Sequence, residues 1–133
     1  MKVLLTLYGE EKVDLASSPE EIQATFDGWA AFGEAAGAAG VLIACEGLEG
    51  AHAATTIRVE GGGRHVTDGP FMETKEQLGG FIFLEVRDLD EAMEWAARTP
   101  WNDAGHITEI RPVMDYDQYA ARVQGAEAER ASS

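Results

Sequence analysis

Several short stretches of the chain alternate between apolar and polar residues, and this period of two predicts β-strands. Residues 3–8 and 81–86 are apolar at nearly every position, which is typical of strands covered on both faces. Between them, three consecutive glycines turn the chain and join two alternating segments into a hairpin. The predicted strands are residues 3–8, 41–45, 53–59, 64–67, 81–86 and 107–111.

Two other segments repeat apolar residues every three or four positions and carry helix start signals. In the first segment Ser18 can cap the helix, Pro19 suits its first position and Glu21 completes a capping box. Asp88 and Glu91 give the second helix the same kind of start. The predicted helices are residues 19–39, 89–98 and a short third helix over 116–123. The side chains predicted to face the interior are those of Ile22, Phe26, Trp29, Gly33 and Ala36 in the first helix, and of Ala92, Met93 and Ala96 in the second.

The order of these elements is strand, helix, two or more strands, helix and strand. That order is typical of a ferredoxin-like α+β fold, in which two helices cover one face of an antiparallel sheet. The expected domain spans residues 1–115, and residues 116–133 form a helical extension with a frayed tail.

Both faces of the predicted sheet are apolar, and this feature predicts an assembly. The strand over residues 81–86 has Phe81 and Phe83 on one side and Ile82 and Leu84 on the other. Two helices can cover only one of these faces, and the second would be a larger apolar patch than soluble monomers usually expose. We therefore predict a homodimer in which two sheets pack face to face. The alternative is that the C-terminal segment folds back over this face.

Composition limits the partners and the location of the protein. The chain has 133 residues and a net charge of −14, with no cluster of basic residues, so neither nucleic acid nor an anionic membrane surface is expected as a partner. No apolar run is long enough to span a bilayer, and the N-terminus resembles a strand more than a signal peptide, which predicts a cytoplasmic protein. Cys45, the single cysteine, lies in an apolar run and is interpreted as a buried thiol.

The segment over residues 66–81, with the sequence VTDGPFMETKEQLGGF, resembles the signature of the YCII-related family in its DGPF (DGPFAETKE) branch. The resemblance extends from residue 1 to about residue 115, and Met72 is a departure because alanine is usual there. It implies a dimeric α+β barrel. It also implies a regulatory association, because similar proteins are encoded beside extracytoplasmic-function sigma factors. Related proteins are proposed to use a histidine on the first helix together with an aspartate. Here that helix has no histidine, and Trp29 stands at about its place.

Asp68 is the first candidate site residue because it ends a predicted strand just before Gly69 and Pro70. One interpretation is structural, with the carboxylate accepting hydrogen bonds from backbone N–H groups of the turn. The other interpretation is catalytic, with the carboxylate as a general base at the mouth of a pocket beside the sheet.

Four further residues are candidates for binding a small molecule: Glu73, Lys75, His106 and Arg111. Lys75 or Arg111 could bind an anionic group and Glu73 could relay protons, although weak pairing with neighbouring charges is the structural alternative. The three histidines lack metal-ligand spacing, so no metal is predicted, and no cofactor motif is present. The leading hypothesis is a cofactor-independent acid–base enzyme of lyase or isomerase type that acts on a small anionic molecule. The alternative is a non-catalytic ligand-binding or regulatory module, with a sigma factor as partner.

Overall fold

The computed structural model describes residues 1–11 and 17–132. The described strands are β1 (Lys2–Gly9), β2 (Leu42–Gly47), β3 (Thr55–Glu60), β4 (Gly63–Asp68), β5 (Gln77–Glu85) and β6 (Ile107–Pro112). The described α-helices are α1 (Pro19–Ala38), α2 (Leu89–Ala97) and α3 (Tyr116–Ser132), and a short 3-10 turn covers Ala51–Ala53.

Four of the strands form one antiparallel sheet in the order β2-β5-β1-β6, and β3 and β4 form a separate hairpin. Without the hairpin, the order of elements is βαββαβ, and the first and third strands of that unit lie at the centre of the sheet. The predicted α+β class and ferredoxin-like topology are therefore confirmed.

The hydrophobic core lies between one face of the sheet and the two helices α1 and α2. Alternate residues of β1 and β5 point toward it, in line with the period of two in their sequences. The buried side chains come from both strands and both helices, so the helices share one face: Val3, Leu5, Leu7, Phe32, Ala36, Val41, Ile82, Leu84, Val86, Ala92 and Trp95.

The predicted helix starts are confirmed by their hydrogen bonds. The Ser18 hydroxyl accepts a hydrogen bond from the Glu21 N–H at 3.2 Å, and the Asp88 carboxylate accepts one from the Glu91 N–H at 2.9 Å. At the other end of α1, Gly40 has a φ of 74°, a left-handed conformation that favours glycine and stops the helix.

The predicted buried stripe of α1 is correct only in the C-terminal half of the helix. Of the predicted residues Ala36 is buried, whereas Ile22 and Phe26 are exposed, Phe26 by 63%. The buried Phe32 was not among the residues predicted to face the interior. The N-terminal half of α1 instead lines a cleft together with the connection after β2 and the loop before β6. In α2, Met93 is also exposed, and Trp95 takes the inward position.

Two element boundaries differ from those expected. β5 begins at Gln77, not at residue 81, because Gln77 and Leu78 pair with the end of β1 through a bulge. At the C-terminus, α3 continues to Ser132 instead of ending near residue 123. The segment after Gly125 is rich in alanine, glutamate and arginine, which favour helix strongly enough to offset one glycine.

The face of the sheet opposite the helices carries Leu4, Phe81 and Phe83 at its centre. These side chains are half-buried by their neighbours on the sheet, and none belongs to the hydrophobic core. We call this surface the outer face. α3 buries none of its side chains, so the C-terminal helix does not provide the cover that was the alternative to a dimer.

Cys45 lies on β2 opposite Ile82 and is half-buried against the core. Partial burial, with a smaller contribution from the neighbouring Glu46 carboxylate, raises the pKa of the Cys45 thiol above its ordinary value. The neutral thiol is therefore favoured, which agrees with the structural interpretation of this residue.

A pair of glycine-to-alanine substitutions tests the packing of the sheet. A Cβ atom at Gly80 would lie 2.7 Å from the carbonyl oxygen of Glu46 in the neighbouring strand, whereas one at Gly33 in α1 would meet nothing within 4 Å. We expect Gly80→Ala to lower the free energy of unfolding by about 1–3 kcal/mol and Gly33→Ala to raise it by about 0.5–1 kcal/mol. Urea unfolding measures both, and equal effects would contradict the close approach of β2 and β5.

Candidate functional site

A cleft of about 600 Å³ opens beside the N-terminal half of α1. Its walls combine aromatic and aliphatic side chains with several carboxylates and one histidine. The lining includes the rings of Phe26, Trp29, Trp101 and His106 and the carboxylates of Glu21 and Asp103.

Three separate parts of the chain build the cleft. α1 contributes Phe26 and Trp29, the connection after β2 contributes Leu48, and the loop between α2 and β6 contributes Trp101. Trp29 also packs edge-on against Phe32, with ring centroids 5.8 Å apart, and this contact ties the cleft wall to the core. The large exposed area of Phe26 is therefore cleft surface.

Trp101 and His106 form a stacked pair in this cleft. Their rings are nearly parallel, with centroids 3.7 Å apart and an interplanar angle of 6°. The indole N–H of Trp101 donates to the carbonyl oxygens of Tyr8 and Ile107, both at 3.1 Å, and thus fixes the ring to the ends of β1 and β6. The imidazole is consequently held against a rigid platform.

His106 closes a short loop through backbone hydrogen bonds. Its N–H donates to the Asp103 carbonyl at 3.0 Å, and its ring Nδ1 accepts from the Asp103 N–H at 3.3 Å. A neutral imidazole that accepts at Nδ1 carries its proton on Nε2 and acts there as a hydrogen-bond donor.

Carboxylates surround the rest of the cleft. Glu11 accepts a hydrogen bond from the Ala51 N–H at 2.6 Å, so this side chain holds the connection after β2 in place. Among the residues that the structure describes, the carboxylates of Glu21, Glu49 and Asp103 form no ion pair or hydrogen bond. These three groups can interact with a bound molecule.

Of the residues predicted from the sequence, only His106 lines this cleft. Asp68 lies at the exposed end of the β3–β4 hairpin, opposite Thr55. The turn beside it is held by Gly69, whose N–H donates to the Ala54 carbonyl and whose own carbonyl accepts from the Thr56 hydroxyl, both at 2.7 Å. The Asp68 carboxylate accepts no hydrogen bond from the residues described, so it does not form the expected side-chain turn bond.

The other predicted residues are also dispersed. Glu73 is exposed in the loop before β5. Lys75 pairs with Glu10 at 3.0 Å, and the hydrogen bond and charge of that glutamate raise the pKa of the Lys75 amine. Arg111 pairs with Glu109 at 2.9 Å beside the outer face. Both cations thus have the acidic neighbours that the structural alternative proposed.

Two kinds of site are not found in the described part of the chain. No three His, Cys, Asp or Glu side chains come together in an arrangement that could hold a metal ion. No helix there is long and apolar enough to cross a membrane.

Comparison with known proteins agrees with the fold and the motif. The family model of the YCII-related domain matches residues 1–117. The chain belongs to the YCII-related family. This YCII-related protein is also 36% identical, over 110 residues, to an uncharacterised protein from Rhizobium meliloti (strain 1021), and the match covers 82% of this chain and 89% of that protein.

In this YCII-related protein, the residue that departs from the family resemblance, Trp29, lies in the wall of the cleft. Trp29 stands on α1 at about the place where a histidine was expected, and it lines the cleft. The same cleft contains His106, which comes from the loop before β6. An imidazole is thus present beside α1 although the helix itself has none.

Sequence reasoning missed Trp101 and assigned Phe26 and Trp29 to the core. The signal that could have indicated Trp101 is the short segment between Pro100 and His106, where two large rings lie near a helix end and Gly105. Its pairing with the end of β1 is a long-range contact, and no local pattern reveals it.

The stacked pair depends on a glycine in β1. A Cβ atom at Gly9 would lie 2.9 Å from Cζ2 of Trp101 and 3.1 Å from Cδ2 of His106, whereas one at Gly47 would meet nothing within 4 Å. We expect Gly9→Ala to displace both rings, to change the near-ultraviolet circular dichroism, and to cost about 1–3 kcal/mol of stability. Gly47→Ala is the control. An unchanged spectrum in Gly9→Ala would contradict the close packing of Trp101 on β1.

Proposed function

We propose that this protein belongs to the DGPF branch, which its motif over residues 66–81 resembles, and that it binds a small organic molecule in the aromatic cleft and catalyses proton transfer on it. The reaction would be of isomerase or lyase type and would use no cofactor. His106 and a cleft carboxylate would take part in moving the proton of the substrate.

The observation that carries this proposal is the stacked Trp101–His106 pair in a cleft with apolar walls. Imidazole is the side chain most often used for acid–base chemistry near neutral pH. A ring fixed between a platform and a backbone N–H keeps one orientation, which is what catalysis by positioning requires. The adjacent carboxylates of Glu21 and Asp103 supply acceptors for a proton.

The predicted catalytic role of Asp68 and binding roles of Glu73, Lys75 and Arg111 stay predictions. None of the four lines the cleft formed by the described residues of a single chain. In that chain, His106 and several carboxylates line the same cleft, and the proposed chemistry uses these.

The cleft can be tested with benzyl alcohol as a neutral probe. We expect it to shift the imidazole Cε1–H resonance of His106, which a His106→Gln variant identifies, because the alcohol's ring would lie beside the Trp101–His106 pair. The resonance of His65, exposed on the hairpin, should stay unchanged. Phe26→Ala should weaken binding by about 3- to 10-fold through loss of one aromatic contact.

The matched control is Val59→Ala, which removes an exposed apolar side chain from the hairpin, away from the cleft. It should leave binding of the alcohol unchanged. Equal shifts of the His106 and His65 resonances, or no shift at all, would contradict a binding site in the cleft.

We also propose that the outer face is covered by a second copy of the chain. Leu4, Phe81 and Phe83 form an apolar centre, and Arg111 and Glu109 lie toward one edge on β6. A two-fold pairing of this face with itself would bury the aromatic rings of both copies and leave charged groups at the edge. The resulting homodimer would be the barrel that the family resemblance implies.

Sedimentation equilibrium at micromolar concentration tests the assembly. The wild-type chain should give about twice its mass of 14.3 kDa. Phe83→Glu should give a folded monomer because it places a charge in the buried contact, whereas Met93→Glu, on the exposed side of α2, should remain dimeric. A wild-type monomer would contradict the proposal.

A second candidate function is a regulatory module that binds another protein, with an extracytoplasmic-function sigma factor as the partner implied by the resemblance. The feature that favours it is α3. Tyr116, Tyr119 and Val123 are exposed at positions three and four residues apart, so they lie on one side of a helix that buries nothing. For either function we propose a cytoplasmic location.

A further inference from the structure

The charges around the aromatic cleft bear on the kind of molecule that it binds. Among the described lining residues, the charged side chains are the carboxylates of Glu11, Glu21, Glu49 and Asp103, and no lysine or arginine takes part. An anionic ligand would face repulsion from all four groups in a partly enclosed space. The cleft therefore disfavours an anionic ligand, although Lys75 and Arg111 had led us to expect an anionic substrate.

The aromatic walls favour the same sign of charge. Phe26, Trp29 and Trp101 present rings to the cleft, and the face of an aromatic ring attracts a cation through its quadrupole, most strongly in tryptophan. The apolar edges of these rings and of Leu48 also provide surface for a hydrocarbon group.

Most carboxylates of the cleft have no cationic partner among the described residues. Glu11 is engaged by the Ala51 N–H, but within the described residues no cation of the protein neutralises Glu21, Glu49 or Asp103. Nor do three potential ligands lie close enough there to hold a metal ion. A bulky cation that needs no fixed coordination geometry suits such a site better than a metal.

We propose that the ligand of this cleft is a small organic ammonium ion, an amine or quaternary ammonium compound with an apolar body. The inference rests on the proposed binding function of the cleft and adds the charge of the ligand to it. The apolar body would lie between Phe26 and Trp101, and the ammonium group would lie toward Glu21 and Asp103.

Three probes of nearly equal size separate this inference from the proposed function. They are benzyltrimethylammonium, benzyl alcohol and benzoate, each titrated into the full-length protein while tryptophan fluorescence and the His106 resonance are followed. We expect the ammonium probe to bind at least about tenfold more tightly than the other two, and its affinity to fall as salt is added.

Two double variants, each with two negative charges removed, test whether the preference for the ammonium probe comes from the cleft. Glu21→Gln with Asp103→Asn should reduce the advantage of the ammonium probe to about threefold or less. Asp90→Asn with Glu94→Gln, both on the exposed side of α2, should leave it unchanged. If both double variants weaken ammonium binding equally, the preference comes from the net charge of −14 and the inference is wrong.

The remaining outcomes also decide between the two claims. If benzyl alcohol or benzoate binds as tightly as the ammonium probe, the inference on charge is wrong, whereas the cleft remains a small-molecule site. If no probe binds at millimolar concentration, both the ligand class and the proposed function of the cleft are wrong.

Discussion

The central strands β1 and β5 are apolar on both faces, and of the described helices only α1 and α2 pack on them. This constraint organises the molecule. The face under α1 and α2 becomes the hydrophobic core, and no helix of the described residues covers the outer face with Leu4, Phe81 and Phe83. The hairpin β3–β4 and the helix α3 do not relieve the constraint, because nearly all of their side chains are exposed.

The cleft uses the part of α1 that the core does not bury. Ile22 and Phe26 in the first turns of this helix are exposed, and both line the cleft. The loop after α2 places Trp101 against the end of β1 and in the same cleft. Core packing and site formation therefore use different halves of one helix, which lets the chemistry of the cleft change without disturbing the core.

Local signals in the sequence were sufficient for most of the fold. Ser18 and Asp88 cap the helices as their positions indicated, and the apolar runs at residues 3–8 and 81–86 form the central strands β1 and β5. The candidate site was mostly not predictable. A helical stripe places Phe26 on the same side of α1 as Trp29 and Ala36, but it does not show what lies opposite each of them, and the contact of Trp101 with Tyr8 joins residues more than ninety positions apart. The motif around Asp68 drew attention to charged residues outside the cleft, and Lys75 and Arg111 are paired with acidic side chains, as the structural alternative proposed.

The helix α3 differs from every other long element because none of its side chains is buried. Substitutions, deletions or extensions along it leave the packed interior untouched, so this segment is free to diverge between species at little cost in stability. The end of the chain is for the same reason a suitable point for attaching a dye, an affinity handle or a second protein without altering the body of the fold.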